Sequence, residues 1–354
     1  MWTNDDPSGG ATHPAPARGA TPARRGRRRL GALTVAALAL ASALAGTGTA
    51  LAAPGPAAPG GGSVAAAPSA GCGAGAPAPS VARHDVPEPE PNDTGTSRHY
   101  ELTVPAGYDA SRPWPVILAF HGRGGTGPEL QRFSGLSELP AIVAYLDGAR
   151  SATTASQSWQ GAPYSAPGVD DVAYAASVLD QVEATTCADT NRVYAAGKSN
   201  GGGFTDILAC RMSDRIAAIA PVAAAFYRTG EPECAPGRPV PVIEFHGTAD
   251  ATVPYTGGGP AKPTPAIQDW VNGWVARDRC APEPATRRIG PDVTVTDWTH
   301  CANGADVEHV VVDGGGHTWP GSLGYSGEGR ITQTVKATDM MWDFLSRQTL
   351  HGPA

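Results

Sequence analysis

The residues with the clearest chemical potential form a Gly-x-Ser-x-Gly motif at positions 197–201, centred on Ser199. The motif follows a strand pattern at 192–196 and precedes a helix pattern at 200–212. A strand, a sharp turn and a helix in this order predict a nucleophile elbow, in which a strained turn presents the serine hydroxyl at the helix N-terminus. A glycine-rich turn without chemical function is the alternative, and the flanking strand and helix patterns disfavour it.

Two later residues could complete the machinery that a serine nucleophile needs. The hydroxyl requires a base to take its proton, and the base requires a carboxylate to orient it. In α/β-hydrolases the chain order is serine, acid, histidine. Asp250 follows a strand pattern at 240–245, and His317 lies in a glycine-rich segment after a strand pattern at 307–312. The order predicts Asp250 as the acid and His317 as the general base.

Three other titratable residues fit these roles less well. His121 and His246 each follow a strand pattern directly and precede a glycine. That position favours hydrogen bonds that fix a loop over proton transfer. Asp313 is a possible substitute for Asp250, but it lies so close to His317 in the sequence that it would crowd the imidazole.

An oxyanion hole needs two main-chain N–H groups aimed at the developing negative charge. Asn200, the residue after the nucleophile, supplies one, and the loop after an early strand supplies the other. The strand pattern at 116–120 runs into His-Gly-Arg-Gly-Gly-Thr-Gly at 121–127. We assign the second N–H to Arg123, with Gly122 as the alternative. A phosphate-binding loop is disfavoured because no Gly-Lys-Ser/Thr closes the segment.

The segments that carry these residues predict an α/β protein. From position 98 onward, short apolar runs alternate with helix patterns, which is typical of a mostly parallel sheet flanked by helices in three layers. The sequence therefore predicts the α/β-hydrolase fold. The predicted strands are 100–104, 116–120, 142–146, 192–196, 217–222, 240–245 and 307–312, and the predicted helices are 172–184, 200–212, 267–275 and 332–345.

The N-terminal composition predicts export. Five Arg residues at 24–29 precede an uncharged apolar run at 30–45 and an Ala-Leu-Ala cleavage site at 50–52. The run is short for a membrane span, which needs roughly 20 residues, so a retained signal anchor is the less favoured alternative. We predict a signal peptide at 1–52, a disordered Ala/Pro/Gly linker at 53–82, and a secreted, extracellular esterase domain at 83–350.

Charge and composition limit the partners of this domain. The formal net charge is −7, and the first 52 residues carry six Arg and two Asp, which leaves −11 for the remainder. An acidic exported protein is a poor candidate for binding nucleic acid. We expect a monomer without a cofactor that does not associate with membranes after signal cleavage.

Six cysteines in an exported chain favour disulfides, and none has the spacing of a metal site. Cys187 precedes the elbow strand and Cys210 ends the elbow helix, so we predict that they meet at one end of the sheet. Cys280 and Cys301 flank a short segment before the last predicted strand, so we predict that they form the second pair. By elimination, the third predicted pair is Cys72–Cys234.

Several of these segments resemble secreted feruloyl esterases of types C and D, which are related to polyhydroxybutyrate depolymerase-like enzymes and carbohydrate esterase family 1. The resemblance covers about 71–346 and rests on residues 197–204 and 208–210 and on short matches at 169–172, 225–227, 244–247 and 316–320. It implies hydrolysis of feruloyl esters on arabinoxylan, without metal or cofactor, by Ser199, Asp250 and His317.

The residues alone indicate only a carboxylic ester hydrolase. Acetyl-xylan and hydroxyalkanoate esters are alternative substrates, and a non-catalytic secreted binding protein on the same fold is the alternative of another class. Trp159, Tyr227, Tyr255 and Trp319 could stack on an aromatic acyl group or a sugar, although ordinary packing is the alternative for each. Trp319 is the best placed of the four because it lies two residues beyond His317.

Overall fold

The computed structural model describes residues 64–73, 82–86, 98–258 and 263–353. The predicted signal peptide at 1–52 lies outside the described residues. None of the helices in the described residues has the length and hydropathy needed to cross a membrane.

The described residues form fourteen strands, five α-helices and two short 3₁₀ turns. The helices are α1 (Gly127–Ser134), α2 (Asp171–Thr185), α3 (Asn200–Arg211), α4 (Ile267–Arg277) and α5 (Ala337–Leu345). The strands are β1 (Ala82–Val86), β2 (Arg98–Thr103), β3 (Trp114–Phe120), β4 (Ile142–Leu146), β5 (Ala149–Arg150), β6 (Gln157–Ser158), β7 (Ala188–Lys198), β8 (Ala218–Val222), β9 (Val242–Gly247), β10 (Ala285–Ile289), β11 (Val293–Trp298), β12 (Val307–Val312), β13 (Gln348–Thr349) and β14 (Gly352–Pro353).

Ten of these strands form one sheet in the order β1-β2-β4-β3-β7-β8-β9-β12-β11-β10. The six central strands, from β4 to β12, are parallel to one another, whereas the outer pairs on both sides are antiparallel. Because the central strands are parallel, their carboxyl ends lie along one edge of the sheet, where α/β proteins bind ligands.

Hydrophobic residues cover both faces of the sheet, as strands buried on two sides require. Along β3, Val116, Leu118 and Phe120 face one core, which contains α2, α3 and α4. The alternate residues, Ile117 and Ala119, face a second core, which contains α1 and α5. This three-layer arrangement confirms the predicted α/β-hydrolase architecture.

Most predicted elements are present, and the differences have local causes. Helix α1 was not predicted, although Thr126 and Glu129 form a capping box that indicates a helix start. The predicted helix at 332–345 begins only at Ala337, because Thr332 and Thr334 instead bond the Asp292 carboxylate. The hairpin of β10 and β11 was also missed.

The predicted linker at 53–82 is wrong for residues 64–73, which lie along the start of β7. The Ser69 main-chain N–H donates to the Ala188 carbonyl, and the Thr190 N–H donates to the Ala67 carbonyl. The small residues of the 64–73 segment bury little surface, but a disulfide links its Cys72 to Cys187 at the start of the elbow strand and holds the segment in place.

The six cysteines form three disulfides, as predicted, but two of the predicted pairs are wrong. Cys72 pairs with Cys187, Cys210 with Cys234, and Cys280 with Cys301 as expected. Strand β7 has 11 residues and spans about 36 Å, whereas the 12 residues of α3 span about 18 Å. Helix α3 therefore ends about halfway back along the strand, so its last turn does not reach Cys187.

Candidate active site

Ser199 lies where β7 ends and α3 begins. Its backbone has φ 56° and ψ −121°, a strained conformation for a residue with a side chain. The Ser199 N–H donates to the Val222 carbonyl on β8, and the Ser199 carbonyl accepts from the N–H groups of Gly203 and Ala225. The turn is thus fixed from both sides.

Close backbone contacts explain the glycines around Ser199. A Cβ at Gly201 would lie 2.3 Å from the Phe120 carbonyl oxygen on β3. A Cβ at Gly197 would lie 2.5 Å from the Gly201 carbonyl oxygen, and one at Gly203 would lie 1.9 Å from the Ala225 carbonyl oxygen. No side chain fits at these positions, so the elbow packs directly on neighbouring backbone.

The structure brings His317 and Asp250 together from distant parts of the chain. His317 Nδ1 lies 2.8 Å from Asp250 Oδ2, and both side chains are buried. Asp250 follows β9 and His317 follows β12, and these two strands are parallel neighbours in the sheet. Asp313, the competing carboxylate, instead pairs with Arg288 on the surface.

Main-chain and histidine donors hold Asp250 as an anion. Its Oδ1 accepts from the N–H groups of Thr252 and Val253, each at 2.8 Å. Burial alone would raise the pKa of the Asp250 carboxyl, but hydrogen bonds from His246 and His317 outweigh burial and hold this pKa below its usual range. The negative charge fixes the His317 tautomer with Nδ1 protonated, which leaves Nε2 free to accept a proton.

A buried polar network continues behind Asp250. His246 Nε2 lies 3.4 Å from Asp250 Oδ2, and His246 Nδ1 lies 3.0 Å from Glu244 Oε1. His309 Nδ1 lies 2.9 Å from Glu244 Oε2 but off the direction of a hydrogen bond, so that contact is electrostatic. The Tyr255 hydroxyl lies 3.0 Å from His309 Nε2. The Asp250 carboxylate, the His246 imidazolium and the Glu244 carboxylate thus alternate in charge away from the site.

The loop after β3 lies directly against Ser199. A Cβ at Gly122 would be only 3.2 Å from the Ser199 Cβ. The Arg123 guanidinium packs over the Tyr164 ring, 4.2 Å from its centroid. The Arg123 main-chain N–H has no acceptor among the described residues. Asn200 opens α3, where first-turn N–H groups have no acceptor within the helix.

Ser199 and His317 line one cavity of about 640 Å³. Its walls include the loop after β3, helix α1 with Phe133, and the segment at 324–328 with Tyr325. No hydrogen bond joins Ser199 Oγ to His317 within the described part of the chain. Such bonds are often long in hydrolases without substrate and shorten when substrate binds.

Comparison with known proteins identifies the family. Over 254 residues the chain is 32% identical to NocK of Nocardia uniformis subsp. tsuyamanensis, an esterase by name, and the match covers 64% of this chain and 72% of NocK. It is 28% identical over 263 residues to feruloyl esterase B of Piromyces equi, which covers 70% of this chain but 45% of that protein.

The chain belongs to the feruloyl esterase-like family of α/β hydrolases. As a member of this family it is a carboxylic ester hydrolase. No family model matches the chain. A crystal structure described as native sOPH aligns with a TM-score of 0.51 at 16% identity, covering 78% of this chain and 90% of the other, and at that identity the likeness concerns the fold alone.

Two of the predicted aromatic contacts of this feruloyl esterase-like chain are wrong. The Trp159 indole is fully buried, donates to the His121 carbonyl and stacks on Phe204. The Trp319 indole is 1% exposed and donates to Thr338 Oγ1 at 3.1 Å, so it braces the His317 segment rather than offering a stacking face. Trp159 belongs to the core that contains α2, α3 and α4, and Trp319 belongs to the core that contains α1 and α5.

The third predicted aromatic contact, Tyr227, lies beside the cavity rather than in its lining. Its ring is partly buried and packs edge-on against Tyr164, 5.9 Å between centroids. In contrast, Phe133 and Tyr325 line the cavity of this feruloyl esterase-like chain, and the sequence analysis did not single them out. Their side chains come from α1 and from an irregular segment, which gave no periodic signal.

Lys198 is a third cavity residue that was not predicted from the sequence. It precedes Ser199, is 6% exposed and lines the same cavity. Burial lowers the pKa of its ammonium group to about 8, although the Asp250 charge opposes this shift. The Lys198 cation also affects His317. Burial lowers the pKa of His317, and the Lys198 charge lowers this pKa further, whereas the hydrogen bond with Asp250 raises it.

Proposed function

We propose that this chain is a secreted feruloyl esterase in which Ser199, His317 and Asp250 form the catalytic triad. The observation that carries the proposal is the 2.8 Å contact between His317 Nδ1 and Asp250 Oδ2 in a cavity that Ser199 also lines. The three residues follow the chain order of α/β-hydrolases. Three disulfides and the predicted signal peptide support export.

In the proposed acylation step, His317 Nε2 takes the proton of the Ser199 hydroxyl as Oγ attacks the ester carbonyl carbon. The carbonyl π electrons move to the oxygen, and the N–H groups of Arg123 and Asn200 stabilise the resulting oxyanion. When the tetrahedral intermediate collapses, the bond to the alcohol oxygen breaks. The His317 imidazolium gives its proton to that oxygen, which releases the alcohol and leaves an acyl-enzyme.

In the proposed deacylation step, water takes the place of the alcohol. His317 accepts a proton from the water as its oxygen attacks the acyl carbon, and the same two N–H groups stabilise the second oxyanion. Collapse breaks the bond to Ser199 Oγ, which regains its proton from His317. The products are a carboxylic acid and the unchanged enzyme.

The electrostatics of the site support His317 as the base. Because burial and the Lys198 cation hold the pKa of His317 below its usual value, the imidazole is neutral at neutral pH and can accept a proton. Because the pKa of Asp250 is also lowered, its carboxylate remains charged and stabilises the imidazolium formed in each step.

The cavity suits an aromatic acyl group. Its volume of about 640 Å³ is within the range of small-molecule sites, roughly 300–1,000 Å³. Phe133 and Tyr325 supply aromatic surface in the cavity that Ser199 also lines, and an aromatic pair contributes about 0.5–1.5 kcal/mol beyond burial. Together with the similarity to feruloyl esterase B, these contacts favour hydroxycinnamoyl esters over acetyl esters.

The experiment compares wild type with Ser199→Ala on methyl ferulate, acetylated xylan and polyhydroxybutyrate. We expect the wild type to prefer methyl ferulate and the variant to lose at least about 10⁴-fold in rate with an unchanged circular dichroism spectrum. A fluorophosphonate probe should label the wild type only. Residual activity within tenfold of wild type would contradict the triad, whereas faster cleavage of acetylated xylan would contradict the feruloyl specificity alone.

A further inference from the structure

Lys198 places a positive charge in the wall of the cavity that contains Ser199. The residue is only 6% exposed, and its Nζ forms no hydrogen bond or ion pair with the residues that the structure describes. Burying a charge costs free energy unless an opposite charge or a hydrogen-bond acceptor compensates for it. An ammonium group without a partner in the wall of a ligand cavity therefore indicates that the ligand supplies the partner.

The Lys198 ammonium group lies against Gly327, which lines the same cavity. A Cβ at Gly327 would be 2.9 Å from Lys198 Nζ and 1.9 Å from the His317 carbonyl oxygen. Gly327 also has φ 144°, a backbone conformation that residues with a side chain rarely adopt. The absence of a side chain at Gly327 therefore leaves room for the ammonium group beside the segment that carries His317.

The carboxylates around Lys198 and the cavity bond to other groups. The Asp250 charge acts on Lys198, but the Asp250 oxygens accept two main-chain N–H groups and the imidazole of His317. Glu129 Oε2 accepts a main-chain N–H at the start of α1, and Glu328 Oε1 accepts a tyrosine hydroxyl. None of these carboxylates forms an ion pair with Lys198 in the described part of the chain.

Cations outnumber carboxylates in the cavity lining. Arg123, Arg132 and Lys198 stand against Glu129 and Glu328. Arg132 Nη2 is 3.8 Å from Glu129 Oε1, and both arginines are exposed, so solvent screens their charges. Because Lys198 is buried, its charge is screened much less. The buried ammonium group is therefore the main attraction for an anion in this cavity.

The reaction itself forms an anion next to His317. In the proposed deacylation step, the oxygen of the water at His317 Nε2 becomes part of the product carboxyl group. The acid keeps the second proton of that water and then releases it to solvent, because carboxyl groups have pKa values of roughly 4. The product is therefore a carboxylate at neutral pH, whereas the ester substrate has no charge at this position.

The effect of Lys198 on His317 supports an attraction for this carboxylate. The Lys198 charge lowers the pKa of His317, which means that it disfavours a second positive charge there. By Coulomb's law, a cation that acts over this distance on a positive charge also stabilises a negative charge formed beside the same imidazole. Burial lowers the pKa of Lys198 only to about 8, so the ammonium group is charged at pH 7.

We propose that the Lys198 ammonium group attracts the carboxylate of the released acid, so that the enzyme binds its acid product more tightly than a neutral molecule of the same shape. The inference rests on the proposed function, since the Ser199 and His317 mechanism defines where the carboxylate forms. Accumulating acid then competes with the ester for the cavity. Lys198 determines the affinity for the product and takes no part in bond making or breaking.

The test is Lys198→Met, assayed at pH 7 for inhibition by ferulate and by ferulamide, in which a neutral amide replaces the carboxylate. We expect Ki for ferulate to rise about tenfold, which corresponds to about 1.4 kcal/mol, and Ki for ferulamide to stay within about twofold of wild type. Arg132→Met removes an exposed cation from the same cavity and is the matched control, in which both Ki values should stay within about twofold.

Equal changes in the two Ki values of Lys198→Met, or no change in either, would overturn the inference. An equal rise in Ki for ferulate in Arg132→Met would also overturn it, because the buried position of the charge would then not matter. The higher His317 pKa expected in Lys198→Met would strengthen anion binding, so it cannot produce the expected loss.

A carboxylate on the substrate itself is the other source of the same chemistry. Methyl 4-carboxycinnamate has such a group on its ring, far from the ester. If Lys198→Met raises KM for this ester but leaves Ki for ferulate unchanged, the ammonium group pairs with the substrate, and the product assignment is wrong. The expected result is a KM that stays within about twofold of wild type.

Calorimetry on Ser199→Ala protein separates this inference from the proposed function. Ferulate and ferulamide are titrated into that protein with and without Lys198→Met, and ferulate alone should bind more weakly when the lysine is absent. If wild type cleaves another ester but not methyl ferulate, only the feruloyl specificity fails, and the comparison is made with the acid and amide of that ester. Equal binding of the acid with and without Lys198 overturns the inference in either case.

Discussion

The Ser199 elbow and the His317 segment are positioned in opposite ways. The elbow spans a few consecutive residues between β7 and α3, and glycines in contact with neighbouring backbone determine its path. His317 lies in residues 313–336, which contain no helix or strand. Its orientation comes from Asp250, 67 residues earlier in the chain.

Distant contacts hold the His317 segment at several points. Arg330 and Thr332 each bond the Asp292 carboxylate at 2.7 Å, and Trp319 bonds Thr338 on α5. The elbow is therefore one contiguous segment that packs on neighbouring backbone, whereas the histidine depends on side chains from the loop after β9, the β10–β11 turn and α5. The two halves of one site can therefore fail independently.

The largest effect is expected from a substitution in the buried network that supports Asp250 and His317. Glu244→Gln removes one of the two buried carboxylates beside the His246 imidazolium and leaves Asp250 as the other, and breaking a buried ion pair costs about 3–5 kcal/mol. We expect the free energy of unfolding in urea to fall by that amount. Ser199 labelling by a fluorophosphonate should slow as His317 loses its alignment, and an unchanged labelling rate in folded protein would contradict this role.

The same variant should alter the pH dependence of stability. Burial opposes protonation of His246, but hydrogen bonds to Asp250 and Glu244 outweigh it and raise its pKa to about 10. A raised histidine pKa adds stability that is complete below the unfolded value of roughly 6.5 and is lost as pH rises towards 10. Unfolding measured from pH 6 to 10 should show this decline in wild type and a flatter curve in Glu244→Gln.

The next largest effect is expected from a substitution in the elbow itself. Gly203→Ala would place a Cβ 1.9 Å from the Ala225 carbonyl oxygen, so the backbone must shift. We expect a loss of about 1–3 kcal/mol in the free energy of unfolding, as for other overpacked sites. Gly324→Ala in the His317 segment is the matched control, because a Cβ there meets no atom within 4 Å. Equal stability of the two variants would contradict the role of the close Gly203–Ala225 backbone contact in fixing the elbow.

The smallest effect concerns Lys198, which belongs to the elbow strand but acts on His317. Lys198→Met removes a cation that lowers the pKa of His317, so this pKa should rise. Because the base must be neutral, the acid limb of kcat/KM should move to higher pH. Above pH 8 the difference should narrow, since the pKa of Lys198 is about 8 in wild type.

A matched control for the Lys198 prediction is Arg132→Met. Arg132 also lines the cavity, but its side chain is 70% exposed and its charge is therefore screened by solvent. The acid limb should stay in place in that variant. A shift of the Lys198→Met limb to lower pH would show that the lysine acts on a group other than His317.

The sequence by itself predicted the features that short segments encode. The strands at 142–146 and 307–312 have the predicted bounds, and Ser199 lies between a strand and a helix as its motif required. Periodicity and glycine spacing indicate the backbone conformation of short segments. The chain order of serine, acid and histidine supplied the candidates for the other two site residues.

Which distant side chains meet depends on how the elements pack in the folded chain. The partner of Cys187 depends on the lengths of β7 and α3 and on residues 64–73, which composition alone indicated to be a linker. The burial of Trp319 and the pairing of Glu244 with His246 likewise arise from packing between elements far apart in the chain. Such contacts leave no periodic signal, because each is fixed by the geometry of the whole sheet.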